Sequence, residues 1–219
     1  MIELDLTHNL IGSSESLNVV QPDIITGGEA IAECLVVNMT LRILRCGWNH
    51  IAKESAITLA KSMRMNSHLT HLDLSYNAFT DEGSQALGLS LRSSKTLRYL
   101  DLSYNGVSSR AAIVIASAVR QRRGRQLLLK LHGTIFSVEA LTAFVRVFSS
   151  DGCSCCRLEL TDCDFSMSGH TGSPALNTFD WEEPSGKYQL DCTSPYERTV
   201  AMEMLVLAEE KRSCRFVTH

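Results

Sequence analysis

Leu41-Arg-Ile-Leu44-Arg-Cys46-Gly-Trp-Asn49-His-Ile51 recurs in outline as Leu69-Thr-His-Leu72-Asp-Leu74-Ser-Tyr-Asn77-Ala-Phe79 and as Leu97-Arg-Tyr-Leu100-Asp-Leu102-Ser-Tyr-Asn105-Gly-Val107. The asparagines are 28 residues apart both times. A fixed period in this range marks a solenoid, in which each unit buries its apolar face only against its neighbours. The frame extends both ways. Met1, Leu4, Leu6, Asn9 and Ile11 occupy it upstream; Leu129, Leu131, Thr134 and Phe136, then Leu158, Leu160, Cys163 and Phe165, occupy it downstream at steps of 29.

Between these segments the apolar period changes to that of a helix. Ala56, Leu59, Ala60 and Met63 lie at i, i+3, i+4 and i+7, one helical face. The same spacing holds for Ser84, Leu87, Gly88 and Leu91, for Ala112, Ile115, Ala116 and Val119, and for Leu141, Phe144, Val145 and Phe148. Counting back from Asn49 gives Gly28, Ile31, Ala32 and Leu35 in the same phase. Asn38 and Asn66 fall just past helix ends, where a left-handed C-cap is expected.

The spelling L-x-x-L-x-L-x-x-N/C-x-L resembles the leucine-rich repeat, and units of 28 and 29 residues with a helix in each resemble its ribonuclease-inhibitor-like subfamily. The resemblance covers about residues 1–165. It implies an α/β fold: a right-handed β-α solenoid, or horseshoe, of about six repeats with a parallel sheet on its concave side. Residues 166–219 leave the repeat and read as a non-repeat C-terminal cap: a Ser-, Gly- and Pro-rich loop over 166–186, a strand over 187–192, and a helix from Pro195 to about Arg212. Ser194, Pro195 and Glu197 supply the cap, first-turn and capping-box signals of that helix. Twelve extra residues before the second unit form an insertion at 13–28, where Pro22 and the Gly27-Gly28 pair read as loop. The first strand has no polar cap before it, which suggests a longer chain, or docking of a larger assembly on that edge.

Strand residues that alternate with the buried leucines face outward, and equivalent ones form columns across the sheet. One column reads Glu3, Ile43, His71, Tyr99, Leu128, Arg157; the next reads Asp5, Arg45, Asp73, Asp101, Lys130, Glu159. The position before the Asn carries His8, Trp48, Tyr76 and Tyr104. Aromatic and Arg side chains beside acids are what protein interfaces use as anchors. Trp48, Tyr76, Tyr99, Tyr104, Arg45, Asp73, Asp101 and His71 are therefore the expected partner-binding residues. Asp73, Asp101, Ser75 and Ser103 also belong to a spelling common in this family, which gives them a structural reading.

A formal net charge of -3 weighs against general nucleic-acid or anionic-membrane binding. No apolar run reaches the roughly 18 residues of a membrane span, and MIELDLTHN is no signal peptide. The expectation is a cytoplasmic protein, with association with cytoskeleton or cilium as an option, whose eight cysteines are mostly reduced. Cys153, Cys155, Cys156 and Cys163 invite a zinc reading, but Cys155 falls on a buried leucine position and Cys163 on the Asn position, so no metal or cofactor is assigned. Arg120, Arg122, Arg123 and Arg125 read as a solvated turn at a helix C-terminus. No phosphate-binding, zinc-protease or nucleophile-elbow motif is present, so no catalytic residue is assigned. The expected function is a non-enzymatic scaffold that binds a protein on its concave face. The resemblance leaves two alternatives: a GTPase-activating-type regulator of a small GTPase, and a structural component of a cytoskeletal or axonemal assembly.

Overall fold

The computed structural model describes residues 1–13, 25–123, 126–136, 140, 141, 143, 144, 147, 156–164 and 187–191. Within them the chain alternates strand and helix: β1 (Glu3–Asp5), α1 (Gly27–Val37), β2 (Ile43–Arg45), α2 (Lys53–Ser62), β3 (His71–Asp73), α3 (Thr80–Leu91), β4 (Tyr99–Asp101), α4 (Ser109–Gln121), β5 (Leu127–Lys130), β6 (Cys156–Asp164) and β7 (Lys187–Asp191). Residues 140, 141, 143, 144 and 147 are also helical. All seven strands form one sheet in chain order, parallel from β1 to β6. This is an α/β leucine-rich-repeat solenoid.

Register follows the repeat frame. Glu3, Ile43, His71, Tyr99, Leu128 and Arg157 pair across the strands, as do Asp5, Arg45, Asp73, Asp101, Lys130 and Glu159. The alternate residues, Leu44, Leu72, Leu100, Leu129 and Leu158, are buried and meet the inner helix faces. Ala56, Leu59, Ala60, Met63, Leu87, Leu91, Ala112, Ile115, Ala116, Val119, Leu141 and Phe144 all lie in that core. Gly88 lets helix approach helix: a Cβ there would be 3.2 Å from Ile115 Cγ1. At the β1 end of the sheet, Leu4 and Leu6, the residue just past the strand, are only half-buried.

The asparagine positions stitch unit to unit. Asn77 Nδ2 donates to the Cys46 and Leu74 carbonyls at 2.8 and 2.9 Å, and its Oδ1 accepts from the Asn49 and Ile51 N–H groups at 3.1 and 3.0 Å. Asn105 Nδ2 donates to Leu74 and Leu102 carbonyls, and its Oδ1 accepts from Phe79 N–H. Turn carbonyls and N–H groups that the short strands leave unpaired are satisfied this way.

Several expectations need correction. Gly27 and Gly28 open α1 rather than ending a loop, because Thr26 and Glu29 form a reciprocal capping box. The rest of the expected insertion, 14–24, lies outside the described residues. Asn38 is extended (φ -77°), not left-handed. Its Oδ1 instead accepts from the Thr40 and Leu41 N–H groups, and Asn66 Oδ1 does the same for His68 and Leu69. Arg122 stands 28 residues after Ser94 and 56 after Asn66. Its guanidinium donates to the Ser94 and Leu97 carbonyls, so it is a tie between units rather than part of a solvated turn.

Cys163 does not take the Asn turn. β6 runs through to Asp164, with Cys163 opposite Tyr188 of β7. The strand expected at 187–192 is β7; it is antiparallel, and its register shifts between Leu160 and Cys163. The 166–186 loop, the helix from Pro195, Cys153 and Cys155 lie outside the described residues. No helix among the described residues is long and apolar enough to cross a membrane.

Candidate protein-binding face

The open face of the sheet, opposite the helices, carries the two predicted columns. In the second column the carboxylates have a local duty. Asp5, Asp73 and Asp101 each accept, through Oδ1 at 2.9 Å, the N–H of the residue two positions on: Thr7, Ser75 and Ser103. These Asx turns redirect the chain at the end of each strand. The hydroxyl and N–H of Thr7, with Arg45 adding to them, hold the Asp5 carboxyl below its ordinary range. Asp101 is buried, and its Oδ2 accepts from Tyr99 Oη at 3.2 Å. Arg45 lies between Asp5 and Asp73 in register and forms an ion pair with Glu3. That bond and the neighbouring acids push the guanidinium pKa further up.

In the first column His71 stacks on Tyr99 at 5.9 Å, and Lys130 Nζ lies 5.7 Å from the centre of the Tyr99 ring. Thr70 Oγ1 and His71 Nδ1 are 2.9 Å apart. These contacts fix the rings on the β3–β5 part of the face.

The aromatic column is displaced from where the sequence places it. His8, Trp48, Tyr76 and Tyr104 are not on the strands but three residues past them, at the carboxyl edge of the sheet. All four have left-handed backbones, with φ of 58°, 58°, 53° and 55°. Bulky residues rarely adopt this conformation. A relayed hydrogen bond holds each: His8 N–H to Gly47 O, Trp48 N–H to Ser75 O, Tyr76 N–H to Ser103 O and Tyr104 N–H to His132 O, at 2.8–3.0 Å. Left-handed backbone at a fixed register turns every ring the same way, and the rings stack. Centroids are 5.2 Å apart for His8 and Trp48, 4.0 Å for Trp48 and Tyr76, and 4.4 Å for Tyr76 and Tyr104. Trp48 remains 46% exposed and Tyr76 38%.

The next residue in this frame is Gly133, also left-handed (φ 67°). A Cβ there would lie 2.4 Å from Tyr104 Cδ1, so the last ring rests directly on glycine backbone. Gly133 and His8 therefore complete a ladder of which Trp48, Tyr76 and Tyr104 are the centre. Sequence reading alone leaves out the backbone conformation, although the glycine in frame with three aromatic residues is a signal for it.

Residues 66–88 and 93–116 match the family described as Leucine Rich repeat. The two matched segments each run from the turn after one helix through a strand into the next helix. A comparison with curated proteins returned no match. Among solved structures, the chain is similar to "Leiomodin-1 Actin-Binding Site 2 (ABS2)", with a TM-score of 0.50 and 17% identity over 67% of this chain and 78% of that one. At that identity the likeness is one of fold.

Cys46 replaces a core leucine of the repeat and is fully buried. Burial, with Asp73 and Asp5 adding to it, pushes its thiol up to about 12. It is packed as a small apolar side chain, and its thiol is protonated at neutral pH.

Proposed function

We propose that this chain is a non-enzymatic protein-interaction module of the ribonuclease-inhibitor-like type. In this reading it binds a partner on the concave side of its sheet through Trp48, Tyr76, Tyr99 and Tyr104, flanked by Arg45, His71, Asp73 and Asp101. Units of 28 and 29 residues containing helices support the subfamily. One observation carries the site: four stacked aromatic and imidazole rings held on left-handed backbone, with Trp48 and Tyr76 still substantially exposed. Left-handed non-glycine backbone costs about 1–2 kcal/mol per residue, and backbone strain of this kind clusters at sites of function. Stacked rings that have already lost their rotamer freedom lose little more on binding, which is how preorganised anchors gain affinity.

The test is affinity capture from lysate with the wild type and with a Trp48→Ala, Tyr76→Ala, Tyr104→Ala variant whose circular dichroism shows it folded. A partner retained by the wild type and lost by the variant supports the site. A partner retained equally by both refutes it.

A second reading places the module in a cytoskeletal assembly in the cytoplasm. The actin-binding site named for the leiomodin neighbour makes filamentous actin the first candidate to try, by co-sedimentation. Absence of the protein from the actin pellet at micromolar concentrations would end that reading without touching the site.

A further inference from the structure

We infer that the β1–β3 half of the open face, together with the rim formed by Trp48 and Tyr76, is built for a basic segment of a partner protein. This rests on the reading of the face as a protein-binding surface and names the chemistry of its occupant. The two halves of the face differ in charge balance. On β4 and β5, Asp101 and Lys130 are neighbours in register, and Lys130 lies over Tyr99. On β1–β3, three carboxylates, Glu3, Asp5 and Asp73, surround one cation, Arg45. Arg45 pairs with Glu3. Asp5 and Asp73 thus flank it as charges it does not fully neutralise. They are two strand spacings apart, about 10 Å.

The surplus is next to the ring ladder. Gly47 leads into Trp48, and a Cβ on Gly47 would lie 3.6 Å from Asp73 Oδ1. Asp73 therefore overhangs the turn that presents the exposed indole. Asp73 uses Oδ1 for its turn, which leaves Oδ2 for a partner, while the Asp5 carboxylate, which also takes the Thr7 hydroxyl, contributes its charge. Carboxylates beside exposed aromatic rings suit arginine above all, whose planar guanidinium pairs with carboxylate and packs on aromatic surface together.

The local turns provide a clean probe. Asp5→Asn with Asp73→Asn removes both charges yet keeps the Oδ1 acceptor that each turn needs. Glu33→Gln with Glu82→Gln removes two charges from exposed positions on α1 and α3 and controls for net charge. The probe is a twelve-residue alternating Arg–Ser peptide, with alternating Glu–Ser as its counterpart. Binding is read from Trp48 fluorescence in a Trp181→Phe background, since the chain has two tryptophans. The expected result is saturable binding of the Arg–Ser peptide, weakened about tenfold or more by the asparagine pair and within about twofold by the glutamine pair. Two charge contacts of modest strength account for a change of that size. No binding of the Arg–Ser peptide, equal weakening by both pairs, or comparable binding of Glu–Ser would overturn it. A partner lost from the aromatic triple variant but retained by the asparagine pair would leave the binding face standing and remove the basic occupant. Retention by both variants would remove both.

Discussion

Tyr76 is the residue whose replacement best separates the two physical effects at the rim. Its ring stacks on Trp48 at 4.0 Å and on Tyr104 at 4.4 Å, and its backbone is left-handed at φ 53°. Tyr76→Ala removes both stacking contacts, worth about 0.5–1.5 kcal/mol each, so about 1–3 kcal/mol in all. It leaves the backbone penalty in place. Tyr76→Gly loses the same contacts but removes that penalty of about 1–2 kcal/mol. Against this stands the greater freedom of glycine in the unfolded chain, about 0.4–1 kcal/mol. The glycine variant is therefore expected to be the more stable, by about 0.8 kcal/mol at the middle of those ranges. Tyr99, on extended backbone in β4, is the control. There the order reverses, because glycine within a strand costs about 0.5–1 kcal/mol relative to alanine. Urea unfolding followed by circular dichroism, compared by midpoint at constant slope, measures both pairs. An alanine variant as stable as the glycine variant at position 76, or the same order at both positions, would refute the reasoning.

Other outcomes follow from the same structure. Asn77→Ala strands the Cys46 carbonyl and the Asn49 and Ile51 N–H groups, while the Leu74 carbonyl keeps Asn105; a loss of about 2–4 kcal/mol is expected in the same unfolding assay. Asn49→Ala should cost less, because Asn49 Oδ1 is buried without a hydrogen-bond partner, and an equal loss would contradict the ladder. Gly133→Ala forces a Cβ against the Tyr104 ring on left-handed backbone; a loss of about 1–3 kcal/mol and a changed near-ultraviolet tyrosine signal are expected, and an unchanged spectrum would count against the close contact. Cys46, raised from an ordinary value of 9.0 to about 12, keeps its proton in the folded state while the unfolded thiol ionises. Its contribution to stability is full below pH 9 and falls as pH rises from there towards about 12. In native protein at pH 8 a thiol reagent should label exposed Cys34 and spare Cys46, and rapid native labelling of Cys46 would contradict its burial.

The parts of this fold that repeat are the parts the sequence makes legible. A residue such as Leu72 is specified three ways at once, by its period, by its in-frame neighbours Leu44 and Leu100, and by the helix that must cover it. Strand register and inner helix faces follow from that redundancy. What lacks a counterpart in another unit is harder to read. β7 is visible as a strand, but no period fixes its direction or partner, and its antiparallel pairing is seen only in three dimensions. The Gly27-Gly28 pair overrode a Thr26-to-Glu29 capping box that points to a helix start. At the rim, one-letter alternation places Trp48 and Tyr76 on the sheet because it assumes the strand continues. The Asx turns of Asp73 and Asp101 end it three residues earlier. The frame itself carried the remaining clue: a position filled by His8, Trp48, Tyr76, Tyr104 and then Gly133 is one where glycine is at ease.

Site-specific crosslinking tests the binding face most directly. A photoreactive p-benzoylphenylalanine would replace Tyr76 in one variant and Leu89, 58% exposed on α3, in another, each irradiated in lysate after a check of folding. The expected result is a discrete crosslinked species from position 76 that position 89 does not give. The same species from position 89 with none from position 76 would put the partner on the helical side and contradict the assignment of the aromatic rim.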